Sequence, residues 1–256
     1  MKSKLIILGC GSSVGVPRID GFWGACDKKN KKNFRSRCSA IIVKGKNNVL
    51  IDTSPDVKNQ LIKNNIKDIS SVIFTHEHAD QTNGLFELRP FFWNQKKRIN
   101  VYGDSLTINY LKKTQHYLFK RNGDYPPIVK SNIIKRKFTL GKHNEKINFK
   151  STKVKHGRIN SVAYIFEKTA YISDCNDLSI IQNNLFKNLK YLIIDCLKYA
   201  KHPSHFNLAE ALLVHSSLKP TKTILTNLHH DIDYNSLLKI LPNNVIPAHD
   251  GLSLNL

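Results

Sequence analysis

Residues Thr75-His76-Glu77-His78-Ala79-Asp80-Gln81 set two imidazoles two positions apart, then a carboxylate two further on, then an amide. They follow the apolar run Val72-Ile73-Phe74, which reads as a short buried strand. A strand ending in His-x-His-x-Asp aims several metal-ligand types at one point beyond its C-terminal edge. Imidazole and carboxylate together suit Zn, Mn or Fe. A lone histidine in a polar loop is ordinarily a hydrogen-bonding group. Two at this spacing behind an apolar strand favour a metal.

The elements that must position this group come from an ordinary globular chain. At 256 residues and 41% hydrophobic content it can bury a full core, and one domain over residues 1–256 is expected. No apolar run approaches the ~20 residues of a membrane span. The segment Met1 to Gly9 holds two lysines and only four strongly apolar residues, so it reads as a first strand rather than a signal peptide. The five cysteines are scattered and odd in number, which argues for reduced thiols and a cytoplasmic location. Net charge is +21, from 40 Lys+Arg against 19 Asp+Glu. That balance suits an anionic partner: a nucleotide, a phosphorylated sugar or RNA. Much of it is Lys in a chain also crowded with Asn and Ile, a bias that AT-rich coding gives any protein. Nucleic acid is therefore the lesser alternative to a small phosphorylated substrate. No membrane partner is expected, and a homodimer is allowed.

In chain order, residues 4–10 read as a strand, followed by the Gly/Ser loop from Gly9 to Arg18. Exposed amides in such a turn can hold an anion, although the helix-opening spacing of a nucleotide fingerprint is absent. Residues 19–37 are polar and irregular. Ser39 to Val43 and Val49 to Asp52 read as a hairpin turned by Gly45-Lys46-Asn47-Asn48. A helix is expected to start with Ser54 as N-cap and Pro55 at its first position. A short helix from Asn83 to Arg89 leads to Phe91-Phe92-Trp93, an aromatic group that reads as core, with base stacking as the alternative. Helical spacing runs over 105–120. Short strands near 133–138, 145–150 and 162–167 suggest a second sheet. Tyr191 to Asp195 and Thr223 to Thr226 are further strands, each followed by a helix pattern. This mixture implies two sheets with outer helices.

Polar residues recur at strand ends: Asp52, His76 to Gln81, His156, Asp174, Asp195, His202 to His205, and Asn227 to His230. In this order they resemble the metallo-β-lactamase superfamily, an α+β fold of four layers, αββα. The likeness runs from Leu8-Gly9-Cys10-Gly11-Ser12-Ser13-Val14-Gly15-Val16-Pro17 to Ala248-His249-Asp250-Gly251-Leu252. Within it, Asp52-Thr53-Ser54-Pro55-Asp56, Leu88-Arg89-Pro90 and Asp231-Ile232-Asp233-Tyr234 look like the branch of the phosphonate-pathway phosphoribosyl cyclic-phosphate phosphodiesterase.

The resemblance implies that His76, His78, His156 and the bridging Asp174 hold a first metal. A second would use Asp80, Asp174 and two further histidines. Here Gln81 and Asn227 stand at those two positions. Both departures fall on the same metal. An amide oxygen is a poor Zn ligand and an acceptable ligand for a harder cation. Three arrangements follow: a weak second site, a single tight metal, or a binding protein without hydrolysis. With two metals, a hydroxide shared between them would attack phosphorus; with one, that ion would lower the pKa of its water and Asp80 would be free to orient or deprotonate it. His205 matches the family's proposed general acid and precedes a helix that Asn207 should cap. His202, Arg158 and Arg37 are candidate phosphate contacts. Cys26, Cys38 and His229 or His230 lack the tight spacing of the extra zinc site some relatives carry, and no zinc is expected there. The implied function is a metal-dependent phosphodiesterase for a small cyclic or nucleotide-like phosphate. The alternatives are RNA processing of the tRNA 3′-end type and a non-catalytic metal- or ligand-binding protein.

Overall fold

The computed structural model describes residues 2–256. Strands β1 (Lys4–Gly9), β2 (Ser39–Lys44), β3 (Asn47–Ile51), β4 (Ser71–Ile73), β5 (Ile99–Gly103) and β6 (Val129–Ile133) form one sheet, with β14 (Leu252–Asn255) on its outer edge beside β1. A second sheet carries β7 (Lys137–Leu140), β8 (Ile147–His156), β9 (Ile159–Phe166), β10 (Thr169–Ile172), β11 (Tyr191–Asp195), β12 (Lys222–Thr226) and β13 (Val245–Pro247). In each, a run of antiparallel strands passes into parallel ones. The pairs β3–β4, β4–β5 and β5–β6 are parallel in the first sheet. So are β10–β11, β11–β12 and β12–β13 in the second.

Strand alternation decides which side chains enter which layer. Along β1, Leu5 and Ile7 face the second sheet and pack with Phe149, Tyr164, Tyr171 and Ile193. Ile6 and Leu8 point the other way, into a layer with Val57, Leu61, Ile108 and Leu111. These come from α1 (Val57–Lys63) and α4 (Ser105–Thr114). On the far side, Ile172, Ile194 and Leu225 pack against Ala211, Val214 and Leu237. Those belong to α6 (Leu208–Leu218) and α7 (Tyr234–Ile240). The result is helix, sheet, sheet, helix, the four-layer α+β sandwich that the sequence implies. No helix among the described residues is long and apolar enough to cross a membrane.

Three local readings change. The helix α1 starts at Val57 with Asp56 as its N-cap, two residues later than expected. Ser54 does not cap it; its Oγ instead accepts from Asp56 N at 3.2 Å and donates to Gln60 Oε1 at 3.0 Å. The 105–120 pattern is two helices, because the chain breaks at Gln115 before a single turn, His116–Phe119. Phe91 and Phe92 are half-buried against the outer core layer, whereas Trp93 is 56% exposed.

Candidate metal centre

The parallel strands of the two sheets end on one rim, and that rim carries the polar residues. His76 lies three residues past β4, His156 closes β8, Asp174 lies two past β10, Asp195 closes β11, and Asn227 follows β12. Asn227 sits at φ 62° and Asp52, after β3, at φ 60°. Asn and Asp tolerate this left-handed backbone better than most residues, so the strand ends can turn sharply inward.

His76, His78 and His156 converge, with their ligand atoms within 4.8 Å of one another. His156 Nδ1 donates to the Ser204 carbonyl at 2.7 Å, which leaves its Nε2 as a lone pair facing the group. Thr75 Oγ1 donates to Asp52 Oδ2 at 2.8 Å and so receives the Nδ1–H of His76 at 3.0 Å. His76 Nε2 is then buried without a partner. Burial holds that ring's pKa down to about 3, so it stays neutral and able to ligate. His156 Nε2 lies 3.4 Å from His78 Nδ1. Two nitrogens on a tetrahedral Zn at about 2.0–2.1 Å would be about 3.3–3.4 Å apart. The donor set therefore fits a divalent ion.

The second set does not. Gln81 is fully buried on the one-turn helix α2 (Ala79–Thr82), and its backbone carbonyl accepts from Thr53 N at 2.7 Å. Its Nε2 points at Asp80 Oδ2, 3.2 Å, and Asp174 Oδ2, 3.5 Å. Asn227 Nδ2 points at Asp174 Oδ1, 3.4 Å, and Asp195 Oδ1, 3.2 Å. Complementarity to carboxylates assigns the amide nitrogens to this side. An amide N–H has no lone pair to give a cation. Two neutral donors thus occupy the places where imidazoles would ligate.

His205 turns into the same rim. Its Nδ1 donates to Asp195 Oδ2 at 2.7 Å, and Asp195 Oδ2 also accepts from Cys175 N at 2.9 Å. Burial works against a charged His205, but Asp195, with Asp174 and Asp80 behind it, outweighs this and raises the ring to about 9. Burial and then the charge of Asp174 raise the Asp80 carboxyl. Asp174 is also pushed up by burial, yet the imidazoles around it, with His205 the ring charged at neutral pH, outweigh that and hold it low. The chain holds His205 in place: Asn176 Nδ2 donates to Pro203 O at 2.8 Å, and Phe206 N to Cys175 O at 2.7 Å. Asn207 caps α6 with a full capping box to Glu210.

These groups line one hollow of about 320 Å³, with His78, Asp80, His156, Asp174, His202, His205 and Asn227 in its wall. Arg158 and Arg37 are not in that wall. Arg158 is exposed on the β8–β9 turn, and Arg37 Nε pairs with Asp56 at 3.0 Å. Cys38 and Cys26 face different places, Thr226 Oγ1 at 3.6 Å and the His230 carbonyl at 3.4 Å. Sequence reasoning gave no role to Asp195 or Thr75 and did not place Ser12, Ser13 or His229 at the hollow. Asp195 ending a β-strand was the one available signal.

Residues 47–229 match the family described as the β-lactamase superfamily domain. The chain belongs to that superfamily. Its nearer likeness is to the PhnP-like branch: the crystal structure of a diphosphatase from the PhnP family is 28% identical, with TM-score 0.86 over 100% of this chain and 98% of that one. Zn-bound PqqB from Methylobacterium extorquens shares the fold at 15% identity and TM-score 0.78, covering 99% and 100% of the two chains. The short form of human tRNase Z does so at 17% and 0.68, covering 98% of each. A curated protein of Porphyromonas gingivalis named octanoyltransferase is 28% identical over 253 residues, 97% of this chain. The chain spans about half, 51%, of that relative's length.

Proposed function

We propose that the protein is a metal-dependent phosphodiesterase for a small cyclic or nucleotide-like phosphate ester, working with one tightly held ion. The observation that carries this is the three-histidine cradle, with a buried, partnerless His76 Nε2, opening into a hollow of about 320 Å³. That volume suits a small ligand. Likeness over both full chains to a PhnP-family diphosphatase supports the phosphate ester as substrate.

His76, His78 and His156 would hold Zn, Mn or Fe, with Asp174 beside them. A bound ion supplies Lewis acidity and a water of lowered pKa. Asp80, not needed as a ligand, orients the attacking water and can accept its proton. As the oxygen–phosphorus bond forms, the bond to the leaving oxygen breaks. His205 gives that oxygen a proton, and Asp195 fixes the ring with Nδ1 turned away from the substrate. A ring raised to about 9 carries this proton at neutral pH.

The test is hydrolysis of an aryl phosphodiester by protein loaded in turn with Zn, Mn and Fe. Metal-dependent turnover is expected, and no turnover with any of them would overturn the reading in favour of a binding role. A second reading, RNA hydrolysis, has one observation behind it: the hollow between Arg98, Lys112, Lys120 and Lys130 in a chain of net charge +21. RNA affinity falling steeply with salt would favour it.

A further inference from the structure

We infer that the Ser12–Gly15 turn is the oxyanion subsite of this centre, receiving non-bridging phosphoryl oxygens through Ser12 Oγ and the N–H groups of Ser13 and Val14. The inference rests on the phosphodiesterase reading and names how that substrate is gripped. Despite the protein's net charge of +21, no Lys or Arg is in the wall of the hollow. Beside the bound ion, the phosphoryl oxygens must therefore be met by neutral donors or histidines. His205 is committed to the leaving oxygen, Asn227 faces carboxylates, and Ser204 Oγ pairs with His202 Nδ1 at 3.2 Å.

Besides His202 and His229, further donors in the wall come from the turn that follows β1. Ser12, Ser13 and Val14 border the same hollow as His78, Asp80 and Asp174. Ser12 is 3% exposed, and its hydroxyl is buried with no partner. Gly15 N donates to Ser12 O at 2.8 Å and closes a β-turn, with Gly15 at φ 68°. The two amides inside the turn, Ser13 and Val14, donate to no acceptor among the described residues. Consecutive free N–H groups in a turn make a concave anion site. The turn is held rigidly: Gly11 N donates to Ser36 O at 2.8 Å, Val16 N to Arg35 O at 2.9 Å, and Leu228 N, next to Asn227, to Cys10 O at 2.8 Å. A Cβ on Gly11 would lie 2.8 Å from Arg35 O, so the approach depends on glycine there. Neutral dipoles in this wall bind an oxyanion without forming ion pairs with Asp80 and Asp174, as a lysine would.

The probe is inorganic phosphate titrated into the Zn-loaded protein by calorimetry, with zinc content and the unfolding midpoint measured beside it. Ser12→Ala should weaken phosphate about tenfold to 100-fold, the loss of one hydrogen bond to a charged group. Ser13→Pro suits position i+1 of the turn and removes the amide donor together with the hydroxyl that Ser13→Ala also removes. It should bind phosphate about tenfold more weakly than Ser13→Ala, which keeps that N–H. Zinc content should not change. Phosphate binding that is the same in all the variants and the wild type would overturn the inference, as would a wild type that takes up no phosphate. If the wild type hydrolyses no phosphodiester yet Ser13→Pro still loses phosphate, the phosphodiesterase reading fails and the oxyanion subsite stands.

Discussion

The two halves of the candidate centre are built from the same rim and do opposite things. Around His76, His78 and His156, hydrogen bonds on the far side of each fixed ring, to Ser204 O and Thr75 Oγ1, turn lone pairs inward. Around Asp80, Asp174 and Asp195, the inward-facing groups are amide N–H donors from Gln81 and Asn227. One half presents electron pairs that need a cation. The other has already satisfied its carboxylates with amide N–H donors and, at Asp195, with the His205 ring. A binding site is set by which atoms face the centre, so two amide-for-imidazole exchanges convert a ligand set into a hydrogen-bond network.

The largest effect should come from opening the lone-pair half. His76→Ala removes the buried nitrogen that has no protein partner, and should lower metal affinity by more than about 100-fold, with activity falling alongside. Metal analysis after dialysis checks it, and retained metal would break the contrast between the halves. Next comes the hydrogen-bonded half. His205→Gln should lower kcat about 100- to 10,000-fold on esters with a basic leaving group, and far less on p-nitrophenyl esters. Since His205 must be protonated, wild-type kcat should fall as pH rises through about 9. Asp195→Asn removes the main charge that raises the ring, so that alkaline limb should move down toward the ordinary 6.5. An unmoved limb would take His205 out of the acid role.

Thr75→Val is smaller and tests the support behind His76. It cuts the Asp52–Thr75–His76 chain and should cost about tenfold in metal affinity, together with about 1–3 kcal/mol of stability for the buried Asp52 oxygen left unpaired. Smallest is Asn207→Ala, which removes the cap that starts α6 just after His205. It should cost about 1 kcal/mol in denaturant unfolding, with metal content unchanged.

Much of this was legible in the chain. Apolar alternation gave the strands, and His76-x-His78-x-Asp80 after an apolar run marked the centre. The amides at 81 and 227 could be named from sequence, but which of their atoms faces inward could not. That depends on Asp195, far away in sequence, being brought within 3.2 Å of Asn227. Arg158 and Arg37 were attractive for phosphate by residue type alone. The fold turns one to solvent and pairs the other with Asp56. Ser54-Pro55 had the composition of a helix start. Ser54 was drawn instead into bonds with Asp56 and Gln60, a tertiary use that local propensity does not register.

The central claim is that one half binds a metal and the other does not. Counting tightly bound metal per chain in wild type and in Gln81→His/Asn227→His tests it directly. Histidine is among the residues enriched in left-handed backbone, so position 227 at φ 62° can accept the change. One metal in wild type and two in the double variant is the predicted result; two tightly bound transition metals in wild type, ligated by Gln81 and Asn227, would contradict it.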